Sequence, residues 1–225
     1  MRTPASFVSK YHARRFQKGE IVIVQGEIPD CVYMIKNGII KTYNLTAQGE
    51  EKPLTFDVAG ESFPVGWIFG HTKWSQYYYE AYTDCDLYCI PRDEYLAFLK
   101  SDNDAMFENL AYMARRTSNF QMRLNALEQS KAISKVINTL HFLCLRYGKD
   151  LQDSVVKIDL PLTQQELANF MGLTRETTGI ELKKLQKKGI ITYRRQNYVV
   201  KTDRLAELLD EDYDMGHSDP TSGSR

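Results

Sequence analysis

The chain has 225 residues, 43% hydrophobic and 26% charged, and its 29 basic and 29 acidic side chains leave no net charge. That length accommodates two compact domains, and that composition excludes a disordered or fibrous chain. No apolar run approaches the roughly 20 residues needed to span a bilayer, and the opening MRTPASFVSKYHARR lacks the apolar core of a secretion signal. Cys31, Cys85, Cys89 and Cys144 form neither a dense framework nor a paired CxxC spacing, which predicts a reducing cytoplasm. Cys85 and Cys89, four apart on a strand pattern, are expected to share one face as small core residues.

From Phe16 to Ile90, β-rich runs alternate with glycine turns at Gly19, Gly26, Gly38, Gly49 and Gly60. Ile21–Val24, Val32–Ile35 and Ile39–Tyr43 fit strands between them. Closely spaced strands with glycine corners predict an antiparallel roll or barrel. Such a roll can enclose a small ligand or be filled by its own side chains. The aromatic cluster Trp67, Phe69, Trp74, Tyr77, Tyr78, Tyr79 and Tyr82 fits either an apolar pocket or, more commonly at strand positions, core.

A helical pattern follows. Met106, Leu110, Met113, Thr117, Phe120, Leu124 and Leu127 alternate spacings of four and three, an a/d seam held for three heptads. This seam predicts a helix that pairs with its own copy, against the alternative of packing on its own domain. A parallel pair would relate two downstream modules by a two-fold axis.

The most specific stretch is LTQQELANFMGLTRETTGIELKKLQKK, from Leu162 to Lys188. Thr163 and Glu166 have capping-box spacing, with Leu162 and Leu167 placed as a hydrophobic staple. Gly172 suits a left-handed helix end, and Thr174 suits the cap of a second helix. On that helix Thr178, Leu182 and Leu185 can face inward, leaving Arg175, Glu176, Lys183, Lys184, Lys187 and Lys188 to solvent or phosphate. Two helices around a glycine turn can lay the second in a DNA major groove, where Arg pairs with guanine and Glu accepts from cytosine. A capped hairpin with solvated charges is the bland alternative, and the surroundings favour DNA. Gly189 to Val200 reads as a wing hairpin around basic Arg194-Arg195. Residues 131 to 201 carry thirteen Lys and Arg against six Asp and Glu, a net of +7 hidden by the neutral total.

The acidic run Asp210 to Asp214 and the Ser- and Gly-rich end are expected to be unstructured. The expected organisation is therefore a β-roll sensor over 1–103, a dimerisation helix over 104–130, a winged helix-turn-helix over 131–209 and an acidic tail over 210–225.

This order of modules, with FQKGEIVIVQGEIPDCVYMIKNGIIKTY and LTQQELANFMGLTRETTGIELKKL as its strongest stretches, resembles the cyclic-AMP receptor protein and fumarate-nitrate regulator superfamily of bacterial transcription factors. The resemblance runs from about Phe16 to Val200. It implies an α+β protein: an antiparallel β-roll of the cyclic-nucleotide-binding kind, a long dimerisation helix and a C-terminal winged helix-turn-helix. It implies a homodimer that regulates transcription, with double-stranded DNA and RNA polymerase as partners and no membrane.

The resemblance places Thr163 and Gln165 on backbone-contacting positions, Arg175 and Glu176 on base-reading positions, and Thr177 on a phosphate contact. A further base-reading position, often Arg in the family, falls on Ile180, which cannot donate a hydrogen bond but can touch a thymine methyl. With Thr174, Gly179, Lys183, Arg194 and Arg195, these form the expected DNA-binding set. The effector segment departs further. Pro64-Val65 stands where cyclic-nucleotide binders have Gly-Glu, and the phosphate-binding Arg aligns near Ser75-Gln76. A buried phosphate without such a partner is poorly compensated, so cyclic AMP is not expected. Phe63, Val65, Trp67, Ser75, Gln76 and Tyr77 are the candidate effector pocket. No cysteine precedes Cys31, which argues against an iron-sulfur cluster of the family's design, and His71 alone is a weak haem ligand. Other readings are a metal-dependent cupin-like enzyme and a dimerisation module acting only through proteins. His12, His71, His141 and His217 form no ligand motif, and no hydrolase, P-loop or dinucleotide fingerprint is present, so no catalytic residue and no cofactor is expected.

Overall fold

The computed structural model describes residues 5–216. After a short helix α1 (Ala5–Val8), the first half is built from β1 (Ala13–Phe16), β2 (Ile21–Ile23), β3 (Val32–Asn37), β4 (Ile39–Leu45), β5 (Glu51–Val58) and β6 (Ser62–Phe63). A one-turn helix α2 (Val65–Ile68) then leads into β7 (Tyr78–Ala81) and β8 (Cys85–Ile90). The strands form two antiparallel four-stranded sheets, ordered β1-β8-β3-β6 and β2-β7-β4-β5. The two-residue period of β3 explains its apolar run. Tyr33 and Ile35 join Phe16, Ile23, Ile40, Phe63, Tyr79 and Leu87 in one core, while Val32 and Met34 join Phe7, Ile68, Ile90, Tyr95 and Leu99 in another. Gly38 turns β3 into β4 at φ +89°, where a Cβ would lie 2.5 Å from the Asp84 carbonyl oxygen, so only glycine fits.

The roll carries aromatic stacks. Phe63 lies between Tyr33 and Tyr79, with ring centroids 5.4 and 4.9 Å away. The aromatic cluster read from sequence is split: Tyr79 and Tyr82 are core, whereas Phe69 and Trp74 are exposed.

The cysteines correct the sequence reading. Cys85 is a buried free thiol as expected, but Cys89 is exposed and forms a disulfide with Cys31. The reason is register. Tyr33 pairs with Cys89 across the sheet, and Cys31, two residues before Tyr33 and just ahead of β3, comes within 5.5 Å of Cys89, Cα to Cα. A separation of 58 residues hides that neighbour from any spacing rule.

Helix α3 (Arg92–Ser101) leads into α4 (Asn103–Glu128), whose start is capped by Asp102 accepting from the Ala105 N–H at 2.9 Å. The chain divides into two compact units between Arg115 and Arg116, within α4. The second unit continues with α5 (Ala132–Tyr147), β9 (Gly148–Gln152), β10 (Val155–Ile158), α6 (Gln164–Met171), α7 (Arg175–Lys187), β11 (Ile191–Arg194), β12 (Asn197–Lys201) and α8 (Thr202–Gly216). Its antiparallel sheet is ordered β11-β12-β10-β9. Val136, Leu140, Leu143, Leu167, Phe170, Leu182, Leu185, Tyr198 and Leu205 are buried within this unit.

The acidic stretch expected to be unstructured from 210 is instead helical as far as Gly216. Leu205 and Leu209 bury one side of α8, which packs on α5, and Asp203 complements its positive end. Residues 217–225 of that expected tail lie outside the described residues. Among the described residues, no helix is long and apolar enough to cross a membrane.

Candidate nucleic-acid interface

The α6–α7 pair is held by its caps. Thr163 Oγ1 accepts from the Glu166 N–H at 3.2 Å, and the Thr163 N–H donates to Glu166 Oε2 at 2.7 Å. Leu162 and Leu167 are fully enclosed beside this box, as a staple requires. Gly172 ends α6 in the left-handed conformation at φ +66°. Two residues later Thr174 Oγ1 accepts from the Thr177 N–H at 3.1 Å, and the two threonine hydroxyls lie 2.9 Å apart. The helices pack closely because Gly179 has no side chain: a Cβ there would sit 3.0 Å from Gln164 Nε2. Gly179 therefore acts through packing, Thr163 and Thr174 act first as caps, and Thr177 supplies the N–H that Thr174 caps.

Thr178, Leu182 and Leu185 face the core, and Arg175, Glu176, Ile180, Lys183, Lys187 and Lys188 are exposed. Lys184 is exposed as well but bonds to Glu181 Oε1 at 2.8 Å. Glu181 is buried, a role the sequence did not reveal. Gln165 is oriented by donating from Nε2 to Asn169 Oδ1 at 2.8 Å.

The wing is a tight hairpin. Arg194 pairs with Asn197 across it, leaving Arg195 and Gln196 as a two-residue turn. Arg195 takes φ +56°, a backbone region that favours glycine, and both wing arginines are exposed. Stacking of Tyr193 on Tyr198, centroids 6.0 Å apart, stiffens the two strands. The exposed cations of α7 and the wing belong to one unit and carry the positive charge read from the sequence.

A further residue was missed. Arg123 on α4 lays its guanidinium 3.8 Å over the Phe170 ring centroid, and Nη2 donates to the Phe170 carbonyl at 3.4 Å. Burial pulls its pKa down to about 10, partly opposed by Tyr147. Arg123 thus ties the end of α4 to α6. A surface reading of Lys and Arg does not find a half-buried arginine whose ring partner lies 47 residues away.

Residues 13–102 match the cyclic nucleotide-binding domain family, and residues 124–208 match the Crp-like helix-turn-helix domain family. The chain belongs to the Crp/Fnr family. It is similar to the HTH-type transcriptional regulator ArcR of Staphylococcus haemolyticus, at 27% identity over 197 residues, 87% of this chain and 85% of that protein. It is also similar to the nitrogen fixation regulation protein FixK of Rhizobium meliloti, at 25% identity over 179 residues, 80% of this chain and 77% of that one. Solved structures share its fold, two of them at TM-scores of 0.70 or above. The two are a CooA mutant from Carboxydothermus hydrogenoformans (TM-score 0.74, 17% identity, 92% of each chain) and FixK2 from Bradyrhizobium japonicum (TM-score 0.70, 21% identity, 87% and 96%). This Crp/Fnr chain is a DNA-binding transcription regulator.

The effector segment of this Crp/Fnr roll is spent on structure. Phe63 is core, and Ser75 is buried with Oγ donating to the Tyr77 carbonyl at 2.7 Å. The Ser75 N–H donates to the Glu27 carbonyl at 2.7 Å, and its carbonyl accepts from the Gly26 N–H at 2.8 Å. Val65, Trp67 and Tyr77 are half-buried and Gln76 is exposed. The Trp67 carbonyl accepts from Arg92 Nε at 3.1 Å. The six candidate pocket residues therefore divide between core and surface. A cyclic nucleotide does not fit this donor set: Pro64-Val65 offers no carboxylate, and Ser75 is committed to the roll's own backbone. Elsewhere on the roll a cleft of about 330 Å³ is lined by Val22, Ile28, Tyr33, Glu27 and Asp30, whose carboxylates oppose an anionic ligand. Among the described residues, no three His, Cys, Asp or Glu side chains gather closely enough to hold a metal ion.

Proposed function

We propose that this regulator acts as a homodimer in the cytoplasm, reading a palindromic DNA site with Arg175, Glu176 and Ile180 on base edges. Thr163, Gln165, Thr177, Lys183, Arg194 and Arg195 contact the phosphate backbone. The observation that carries the dimer is the outer row of α4. Leu110 is 64% and Leu124 59% exposed, and Met106, Thr117 and Phe120 are exposed at the same heptad spacing. Met113 and Leu127 are half-buried, and Phe107, outside the expected seam, is 70% exposed. A 26-residue helix with so many large apolar side chains in water is stabilised by a second copy of itself. Two copies about a two-fold axis place their α7 helices for half-sites about one helical turn apart.

In this reading the roll senses a state or a ligand other than a cyclic nucleotide held in the usual way, and α4 relays it. Only an effector with different affinity for two dimer states can shift the DNA-bound population. RNA polymerase is the downstream partner. Selection of bound duplexes from a random DNA pool, at near-physiological salt, tests the proposal. Enrichment of a palindrome with matching half-sites supports it. A single non-repeated half-site, bound by a protein that sediments as a monomer, overturns the dimeric part.

A further inference from the structure

Ile180 stands where nothing in its own domain explains it. The helix turns about 100° per residue, and Thr178, Leu182 and Leu185 define its buried side. Ile180 therefore projects from nearly the opposite side and is 56% exposed. Its neighbours one turn away are Glu176, Lys183 and Lys184, and Lys187 lies two turns on. A large β-branched apolar side chain thus occupies the centre of a charged, solvent-facing stripe. Neither packing nor helix propensity favours it there, since Lys, Arg or Glu would suit an exposed helix better. Directly before it, Gly179 lets α7 seat closely against Gln164, which fixes the direction in which Ile180 leaves the helix.

From this placement we infer that Ile180 is a specificity-determining residue that reads the 5-methyl group of a thymine in the major groove. The inference rests on α7 being the DNA-reading helix. Of the groups that base pairs present in that groove, the thymine methyl is the apolar one. An isoleucine pressed against it removes apolar surface from water on both partners. Pressed instead against the guanine O6 and N7 acceptors or the cytosine amino group, it strips water and returns no hydrogen bond. The side chain therefore selects by attraction to thymine and by penalty against guanine and cytosine. Glu176, four residues earlier on the same stripe, is displaced by about 6 Å along the helix. The thymine consequently lies within about two base pairs of the pair that Glu176 contacts.

The test begins with the duplex selected by the full-length protein. Each half-site thymine is replaced singly by deoxyuridine, which removes the methyl and nothing else, and affinities are measured for wild type and Ile180→Ala. One thymine is expected at which uracil weakens wild-type binding about fourfold, as one methyl's burial implies, with no effect on I180A. Placing 5-methylcytosine there should bind wild type more tightly than cytosine does, and Ile180→Arg should exchange the preference for guanine. Because Ile180 is exposed, these variants keep the wild-type melting curve. If uracil is tolerated equally by wild type and I180A at every thymine, while Arg175→Ala still relaxes the selected sequence, the Ile180 inference is overturned and the recognition helix stands. If no sequence is selected and Arg175→Ala changes nothing, both are overturned.

Discussion

Arg195→Gly should strengthen the fold and weaken the DNA complex, and the two effects can be separated by measurement. Arg195 is the first residue of the two-residue wing turn and holds φ +56°. A non-glycine residue in this left-handed region costs roughly 1–2 kcal/mol. Glycine removes that strain but adds conformational freedom to the unfolded chain, worth about 0.4–1 kcal/mol. The net gain lies between nothing and about 1.6 kcal/mol, a rise of up to several degrees in the melting temperature of a unit this size. Against DNA the same change removes one exposed cation from the wing. Each phosphate neutralised contributes about 0.9 to the slope of log affinity against log salt, so the slope should become shallower by about that amount. Thermal unfolding and a salt series of fluorescence anisotropy on one duplex read both effects. Arg195→Lys keeps the charge and the strain, and should keep both the slope and the melting temperature. A variant that loses affinity with an unchanged salt slope, or that melts lower, would refute the assignment of a strained backbone presenting a phosphate contact.

Three further outcomes are expected. Phe120→Glu with Leu124→Glu should convert the protein to a monomer in sedimentation and abolish tight binding to a palindrome, leaving the helical content intact. A dimer of unchanged mass would show that α4 pairs through another face. Burial pushes Cys144 and Tyr198 up to about 12, above their ordinary values near 9 and 10. The folded state keeps protons that the unfolded chain loses, so their stability contribution is whole below about pH 9 and declines as pH rises toward 12. Urea midpoints should fall over that range, and Cys144→Val with Tyr198→Phe should flatten the fall; an identical decline in the double variant would assign it elsewhere. The Cys31–Cys89 disulfide closes a loop of 58 residues, worth about 4 kcal/mol in the chain-entropy account. Reduction should lower the unfolding midpoint of the roll in wild type but not in Cys89→Ser. A midpoint that does not move after verified reduction would show that the roll does not depend on the bridge.

Capping and turn chemistry made the second unit legible. Thr163, Glu166, Gly172 and Thr174 act on neighbours three to five residues away, so their roles could be read from spacing and appear in the structure as hydrogen bonds and a positive φ. The glycine turns of the roll are local in the same sense, and β2, β3 and β4 fall where they were expected. What escaped depends on distant partners. Strand β9 is exposed along its whole length, so it carries no apolar alternation and is defined by pairing with β10. The acidic composition around residue 210 concealed a helix whose order depends on Leu205 and Leu209 finding a core. Arg123 reads as one more surface cation until Phe170 arrives beneath it. The disulfide required the register of β3 against β8.

The two sides of α7 share almost no residues. Thr178, Leu182 and Leu185 hold the helix to its domain, whereas Glu176, Ile180, Lys183 and Lys187 are exposed on its outer side. Mutations on the outer side can therefore drift through many sequences without crossing the stability threshold that limits most substitutions. Gene duplication followed by a few changes at those outer positions would yield paralogues that keep one scaffold and answer to different operators. The pair Glu181–Lys184 joins the two sides, and it is there that a lineage changing its binding site would first have to compensate in the core.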